Sequence, residues 1–168
     1  MSLRILYHHR TQGRGAEGLH IRSIVEALRA AGHEVTVLSP PGIDPLAVDA
    51  DVPVDKGQVR TRGMQSIWKW ISRHVPGTMF EIAEIAYNMP ASFRLNRALR
   101  SGRYQVVYER YAFFLIAGAW ASARHGVPFV LEANEVSGIA HRARAQHMTG
   151  ICAAIERRLL RRCRGILT

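Results

Sequence analysis

With 168 residues, 48% of them apolar, the chain has enough hydrophobic material for one sizeable core, which excludes intrinsic disorder and makes a single domain the expectation. Twenty-three Lys and Arg against thirteen Asp and Glu leave a formal charge of +10, a field that attracts nucleic acid, anionic headgroups or a diphosphate-bearing substrate without choosing among them. No run of eighteen or more apolar residues occurs and Met1 to His8 is too short and polar for a signal segment, so the chain reads as cytoplasmic.

Leu3 to His8 is a mainly apolar run entering a Gly-rich loop, the pattern of a buried parallel strand. From Leu19 onward Ile21, Ile24, Val25 and Leu28 recur at helical spacing, with Arg22, Glu26 and Arg29 opposite, and Gly32 ends that helix. Glu34 to Ser39, rich in β-branched residues, stops at Pro40-Pro41 and completes a strand–helix–strand unit. Prolines and glycines interrupt Gly42 to Gly63, where Asp51 to Val54 is a short extended piece. Met64 to Val75 reads as a short helix, and Thr78 to Arg100 as a longer helical stretch kinked or split by Pro90.

Gln105 to Tyr108 and Pro128 to Glu132 read as central strands, separated by an apolar helix from Phe113 to Arg124 that closes at Gly126. A basic helix from Ile151 to Arg162 precedes Ile166 to Thr168, the opening of one more strand. The stop there reads as the N-terminal piece of a longer protein. The alternation predicts a Rossmann-like, doubly wound α/β fold with a mainly parallel sheet, whose ligands bind at the carboxyl ends of the strands.

Cys152 and Cys163 fall about three helical turns apart and cannot bridge there; with no Cys or His cluster nearby, no metal site is expected. Arg94, Arg97, Arg100 and Arg103 follow one helical pattern, and Arg157, Arg158, Arg161, Arg162 and Arg164 crowd another; solvated helix faces are the plain reading. Trp68-Lys69-Trp70-Ile71-Ser72-Arg73 is the stretch best suited to a membrane surface, against the plain reading of a helix with one buried face.

Gly13 to Gly18 matches G-x-G-x-x-G literally. Four residues, His9 to Gln12, separate it from the first strand, and the second strand ends at Ser39 rather than at an acidic residue for a ribose diol, so a nicotinamide or flavin site is disfavoured. Its glycines still allow close backbone approach to an anionic or hydroxyl-rich ligand at a helix start.

Four segments carry a family resemblance. Gly15-Ala16-Glu17-Gly18-Leu19-His20 with Gly32-His33-Glu34-Val35 resembles the opening of family-4 glycosyltransferases with the GT-B fold, Ala16 replacing the usual second glycine. Tyr104-Gln105-Val106-Val107-Tyr108-Glu109-Arg110-Tyr111 is similar to the family's D-V-V-Y-E-R-Y form, with Gln105 in place of Asp. Pro128 to Glu135 is similar to its P-x-V-x-E-x-N run, and Glu156-Arg157-Arg158 before Ile166-Leu167-Thr168 resembles its E-R-R helix and following strand.

The resemblance implies an N-terminal, acceptor-side domain of a retaining, hexosyltransferase-type enzyme that uses a nucleotide-sugar and no metal. It also implies a C-terminal nucleotide-sugar-binding domain with an E-x7-E motif, absent from this chain, so that the isolated chain is inactive. Substrate-binding residues would be Gly15 and Ala16 near the diphosphate, His20 donating to a sugar hydroxyl or a phosphate, and Glu109, Arg110, Asn134 and Glu135 near the reacting sugar. For His20, packing against the neighbouring loop is an equal alternative; for Glu109 and Arg110 it is a structural ion pair, Asn134 and Glu135 are open between a binding and a structural role in the same way, and Glu132 reads as a buried, hydrogen-bonded strand residue. The acceptor is a sugar or lipid-linked sugar, with peripheral contact at the inner membrane face as a corollary and no nucleic acid expected. The competing reading is a non-enzymatic basic module for anionic lipid or nucleic acid.

Overall fold

The computed structural model describes residues 2–13, 15–47, 77–133 and 147–168. The elements run β1 (Arg4–His8), α1 (Gly15–Ala30), β2 (Glu34–Leu38), α2 (Gly77–Ala86), α3 (Asn88–Leu99), β3 (Val106–Arg110), α4 (Ala117–His125), β4 (Phe129–Glu132), α5 (Thr149–Arg162) and β5 (Gly165–Leu167). The expected helix over Met64 to Val75, the piece Asp51 to Val54 and the Trp68 to Arg73 stretch lie outside the described residues.

The five strands among the described residues are parallel, in the order β2-β1-β3-β4-β5. Right-handed crossovers then fix which face each helix covers, because steps in opposite directions along the sheet place their helices on opposite sides. The step from β1 to β2 carries α1 to one face, while the steps to β3, β4 and β5 carry α3, α4 and α5 to the other. Strand alternation supplies both cores. Ile5, Tyr7, Val35 and Tyr108 pack with Ile21 and Val25 of α1. Leu6, Val107, Phe129 and Leu131 pack with Leu95 and Leu99 of α3, Ala117 and Ala121 of α4, and Leu159 of α5.

Local chemistry moves several boundaries. α1 starts at Gly15, not Leu19, so the last part of the Gly-rich run is its first turn. Gly13 and Gly15 have φ of +63° and +58°, and a Cβ on Gly18 would overlap the Gly13 carbonyl, which accounts for all three glycines of the motif without a dinucleotide. The break in the long helical stretch falls at Tyr87; Pro90 sits in the first turn of α3, where its missing N–H is not needed.

α4 starts at Ala117, not Phe113, because Phe114 adopts a left-handed φ of 61°. Asn88 fixes that turn: its Oδ1 accepts from the N–H groups of Ile116 and Ala117 at 2.8 and 3.0 Å, and its Nδ2 donates to the Phe114 carbonyl at 2.8 Å. Cys152 is buried in α5 and Cys163 follows its last turn, and the two are not bridged to each other.

Candidate functional site

The chain leaves β1 toward β2 and returns across it to β3, so the strand order reverses between β1 and β3, where an open α/β sheet forms its ligand crevice. His8 closes β1, and Glu109 pairs with it in register on β3. Both side chains are wholly buried, and His8 donates from Nδ1 to Glu109 Oε2 at 2.6 Å. The Gly118 N–H, in the first turn of α4, donates to the same oxygen at 3.0 Å. A Cβ at residue 118 would overlap that carboxylate where it lies, so a larger residue there would displace it. Glu109 is therefore an anion seated on a helix N-terminus.

Around this pair lie polar atoms without protein partners among the described residues: His8 Nε2, Glu109 Oε1, Arg10 Nη1 and Tyr87 Oη. The Arg10 guanidinium stands 6.0 Å from the centre of the Tyr87 ring and donates through Nη2 to Glu84 at 2.9 Å. Burial raises the Tyr87 phenol pKa; Arg94 and Arg10 oppose that and Glu109 adds to it, which places all three charges within electrostatic reach of the ring. An unmet buried polar group costs about 1–3 kcal/mol, so several at one switch point mark a place that a polar ligand or water completes. Arg10 Nη1 only donates, Glu109 Oε1 accepts and Tyr87 Oη does both, the mixture that hydroxyl groups satisfy.

His9, also wholly buried, is held by Ser39 at 2.8 Å and Thr11 at 3.3 Å, and Arg94 donates to the Ser39 carbonyl. Its pKa is lowered to about 4, chiefly by burial and then by the His8 and Arg110 charges, so it is a neutral imidazole at pH 7.

A second polar centre lies on the α1 face. Glu132, buried at the end of β4, accepts from Arg110 Nη1 at 2.8 Å and His20 Nε2 at 2.9 Å through Oε1, and from the Tyr7 hydroxyl at 3.0 Å through Oε2. Tyr7 stacks on Tyr108 with ring centres 4.9 Å apart. Burial, reinforced by the Glu132 charge, raises both phenols, so both keep their protons. A groove of about 330 Å³ opens beside this centre, lined by His20, Ile24, Leu28, Tyr108, Glu132 and Thr168.

Sequence placed Glu109 and Arg110 in the loop after β3. They are instead its last two residues, because both join the parallel ladder, and alternation sends them to opposite faces. Glu109 joins His8 under α4, while Arg110 joins His20 on Glu132. Glu132 is the buried, hydrogen-bonded residue expected. Gly15 opens α1, and Ala16 follows, exposed. Asn134 and Glu135 lie outside the described residues. His8, His9, Arg10 and Tyr87 escaped the sequence reading; the run His8-His9-Arg10 at the end of a buried strand was the available signal. Among the described residues no group of three or more His, Cys, Asp or Glu is placed to hold a metal ion.

Among solved structures, MurG from Acinetobacter baumannii matches with 15% identity and a TM-score of 0.52, over 98% of this chain and 40% of that one. SsfS6, a glycosyltransferase from Streptomyces sp. SF2575, matches with 18% identity and a TM-score of 0.49 over 77% and 39%. SnogD, a glycosyltransferase from Streptomyces nogalater, matches with 24% and 0.45 over 78% and 35%. At these identities the likeness to MurG is one of fold, and the chain spans well under half of each structure. No curated protein matches. The model of Glycosyltransferase Family 4 matches residues 18–168, from the first turns of α1 through β5, and with its Rossmann-like sheet of the GT-B kind the chain belongs to that family.

Proposed function

We propose that this chain is the acceptor-side half of a nucleotide-sugar-dependent retaining glycosyltransferase of hexosyl type, completed by a C-terminal domain that holds most of the donor. The observation that carries the reading is the crevice between β1 and β3, where a family-4 domain leaves His8 Nε2, Glu109 Oε1, Arg10 Nη1 and Tyr87 Oη buried and unpaired among the described residues. A sugar hydroxyl donates and accepts at once, so a hydroxyl-rich acceptor satisfies both halves of that set.

The reaction itself requires a leaving diphosphate and a cationic sugar to be stabilised together, work suited to aimed N–H groups and fixed positive charge. The first turn of α1, from Gly15 and Ala16, presents N–H groups toward the diphosphate. Arg110 and His20 enter the site already oriented by Glu132. Neither a resident metal nor a redox cofactor has a role in this scheme. Asn134 and Glu135, which follow β4, complete the sugar side.

The test is a panel of nucleotide-hexoses offered to the chain joined to its donor-binding domain and to the 168-residue chain alone. The joined protein is expected to release nucleoside diphosphate with retained anomeric configuration, and Glu109→Ala and His20→Ala to slow it at least tenfold. Turnover by the isolated chain, or full activity in both variants, would refute the division of labour.

A further inference from the structure

We propose that the outer face of α3, α4 and α5 is a docking surface for an anionic lipid bilayer. The three helices cover one side of the sheet, and each turns a mixed stripe away from the core. On α3 the stripe is Met89, Phe93, Arg97 and Arg100; on α4 it is Trp120 and Arg124; on α5 it is Ile151, Arg157, Arg158, Arg161 and Arg162. Phe93 is 69% exposed, Met89 77% and Trp120 49%. At about 100° per residue the four arginines of α5 occupy roughly 140° of arc, opposite the buried Cys152 and Leu159. They line an open groove of about 390 Å³ with Ala154.

Charge is what commits the surface to an anionic partner. The three helices contain one carboxylate, Glu156, and it is turned inward to take the Tyr111 hydroxyl. The α5 arginines have no carboxylate partner among the described residues. Basic last turns complement the helix dipole, which is a sufficient reason for some of these arginines. It gives no reason for a phenylalanine, a methionine and a tryptophan standing in water in the first halves of α3 and α4. Large apolar side chains beside arginines are what the headgroup boundary accepts: the rings enter the acyl margin and the guanidinium groups stay at the phosphates.

The order along each helix gives the surface a direction. Helices of a parallel sheet run against its strands, so their N-terminal halves lie at the carboxyl edge, where the crevice is. On α3 and α4 the exposed apolar side chains occupy those halves and the arginines follow toward the opposite edge; α5 has Ile151 at its start and Leu160 among its last residues. Bilayer contact therefore lies nearest the crevice, which suits an acceptor with a lipid tail; that last step rests on the proposed function, while the docking itself does not.

Co-sedimentation with vesicles of phosphatidylglycerol and phosphatidylcholine, against phosphatidylcholine alone, tests the proposal. Binding is expected only to the anionic vesicles and to weaken with salt. The variant R157Q/R158Q/R161Q/R162Q is expected to weaken it by roughly several hundredfold, at about fivefold per arginine. In W68F/W70F, which leaves Trp120 as the single tryptophan, brominated lipid is expected to quench the fluorescence, and Phe93→Ser to reduce the quenching. Circular dichroism checks folding of these variants. Absence of binding, binding unchanged in the arginine variant, unquenched Trp120, or duplex DNA displacing the vesicles through the same arginines would overturn it. Vesicle binding by a protein that transfers no sugar would leave this surface standing and refute the enzymatic reading instead.

Discussion

Replacing Glu132 by alanine removes one carboxylate from Arg110, His20 and the Tyr7 and Tyr108 hydroxyls at once. Arg110, with a side chain 12% exposed, loses the partner at 2.8 Å that balances its charge, and the buried Tyr7 hydroxyl loses its acceptor at 3.0 Å. His20 is 44% exposed, recovers water and contributes little. Breaking a buried ion pair from one side costs about 3–5 kcal/mol, because the remaining charge has no compensation. The Tyr7 loss falls within the same network and is not simply added. A total near 4 kcal/mol is a large part of the 5–15 kcal/mol that holds a typical domain folded, and at this chain length it lowers Tm by roughly 10 °C.

Urea titration followed by circular dichroism measures the loss directly, and a cycle with Arg110→Met isolates the pair. The double variant is expected to be more stable than Glu132→Ala alone, since it removes the stranded charge. A loss below about 1 kcal/mol in Glu132→Ala, or additive losses in the cycle, would refute the view of Glu132 as the organising anion of the α1 face.

Three further outcomes follow from the geometry. His9 has its pKa lowered from 6.5 to about 4, so the unfolded chain takes up the proton first as pH falls; stability is full above about pH 6.5 and declines by up to about 3 kcal/mol on the way to pH 4. His9→Gln is expected to flatten that limb of a Tm-against-pH curve, and an unchanged slope would exclude His9 as its source. Asn88→Ala strands two N–H groups and the Phe114 carbonyl and is expected to cost about 2–3 kcal/mol in urea unfolding, with Asn88→Asp intermediate because it keeps the acceptor. Gly118→Ala drives a methyl into the Glu109 carboxylate and is expected to cost about 1–3 kcal/mol; equal stability in thermal melts would show that the His8–Glu109 pair has room to move.

The layered sheet was legible because its signals are local. Hydrophobic runs end in Gly or Pro, helices repeat at 3.6 residues, and Gly32 and Gly126 stop α1 and α4 in left-handed conformations at φ of +86° and +65°. The crevice was less legible because it depends on strand register. Nothing in the spacing of His8 and Glu109, a hundred and one residues apart, says that β1 and β3 pair so as to bring Nδ1 within 2.6 Å of Oε2. Likewise the start of α4 was misplaced because the residue that sets it, Asn88, belongs to another helix. The family resemblance, carried by motifs such as Tyr108-Glu109-Arg110-Tyr111, led to the family without saying which side chains meet across the sheet.

That register explains why adjacent residues of one motif have different work. Glu109 and Arg110 are neighbours in sequence, yet the pleat of β3 assigns the carboxylate to His8 and α4, and the guanidinium to Glu132, His20 and α1. One short strand thus couples the two polar centres on opposite faces of the sheet through backbone alone. A shift of β3 by a single residue would exchange the faces and place Arg110 against the N-terminus of α4, where the helix dipole opposes a cation. The anion-binding glycine at 118 and the acid at 132 therefore select the same register independently. The crevice at this edge inherits a fixed backbone from both.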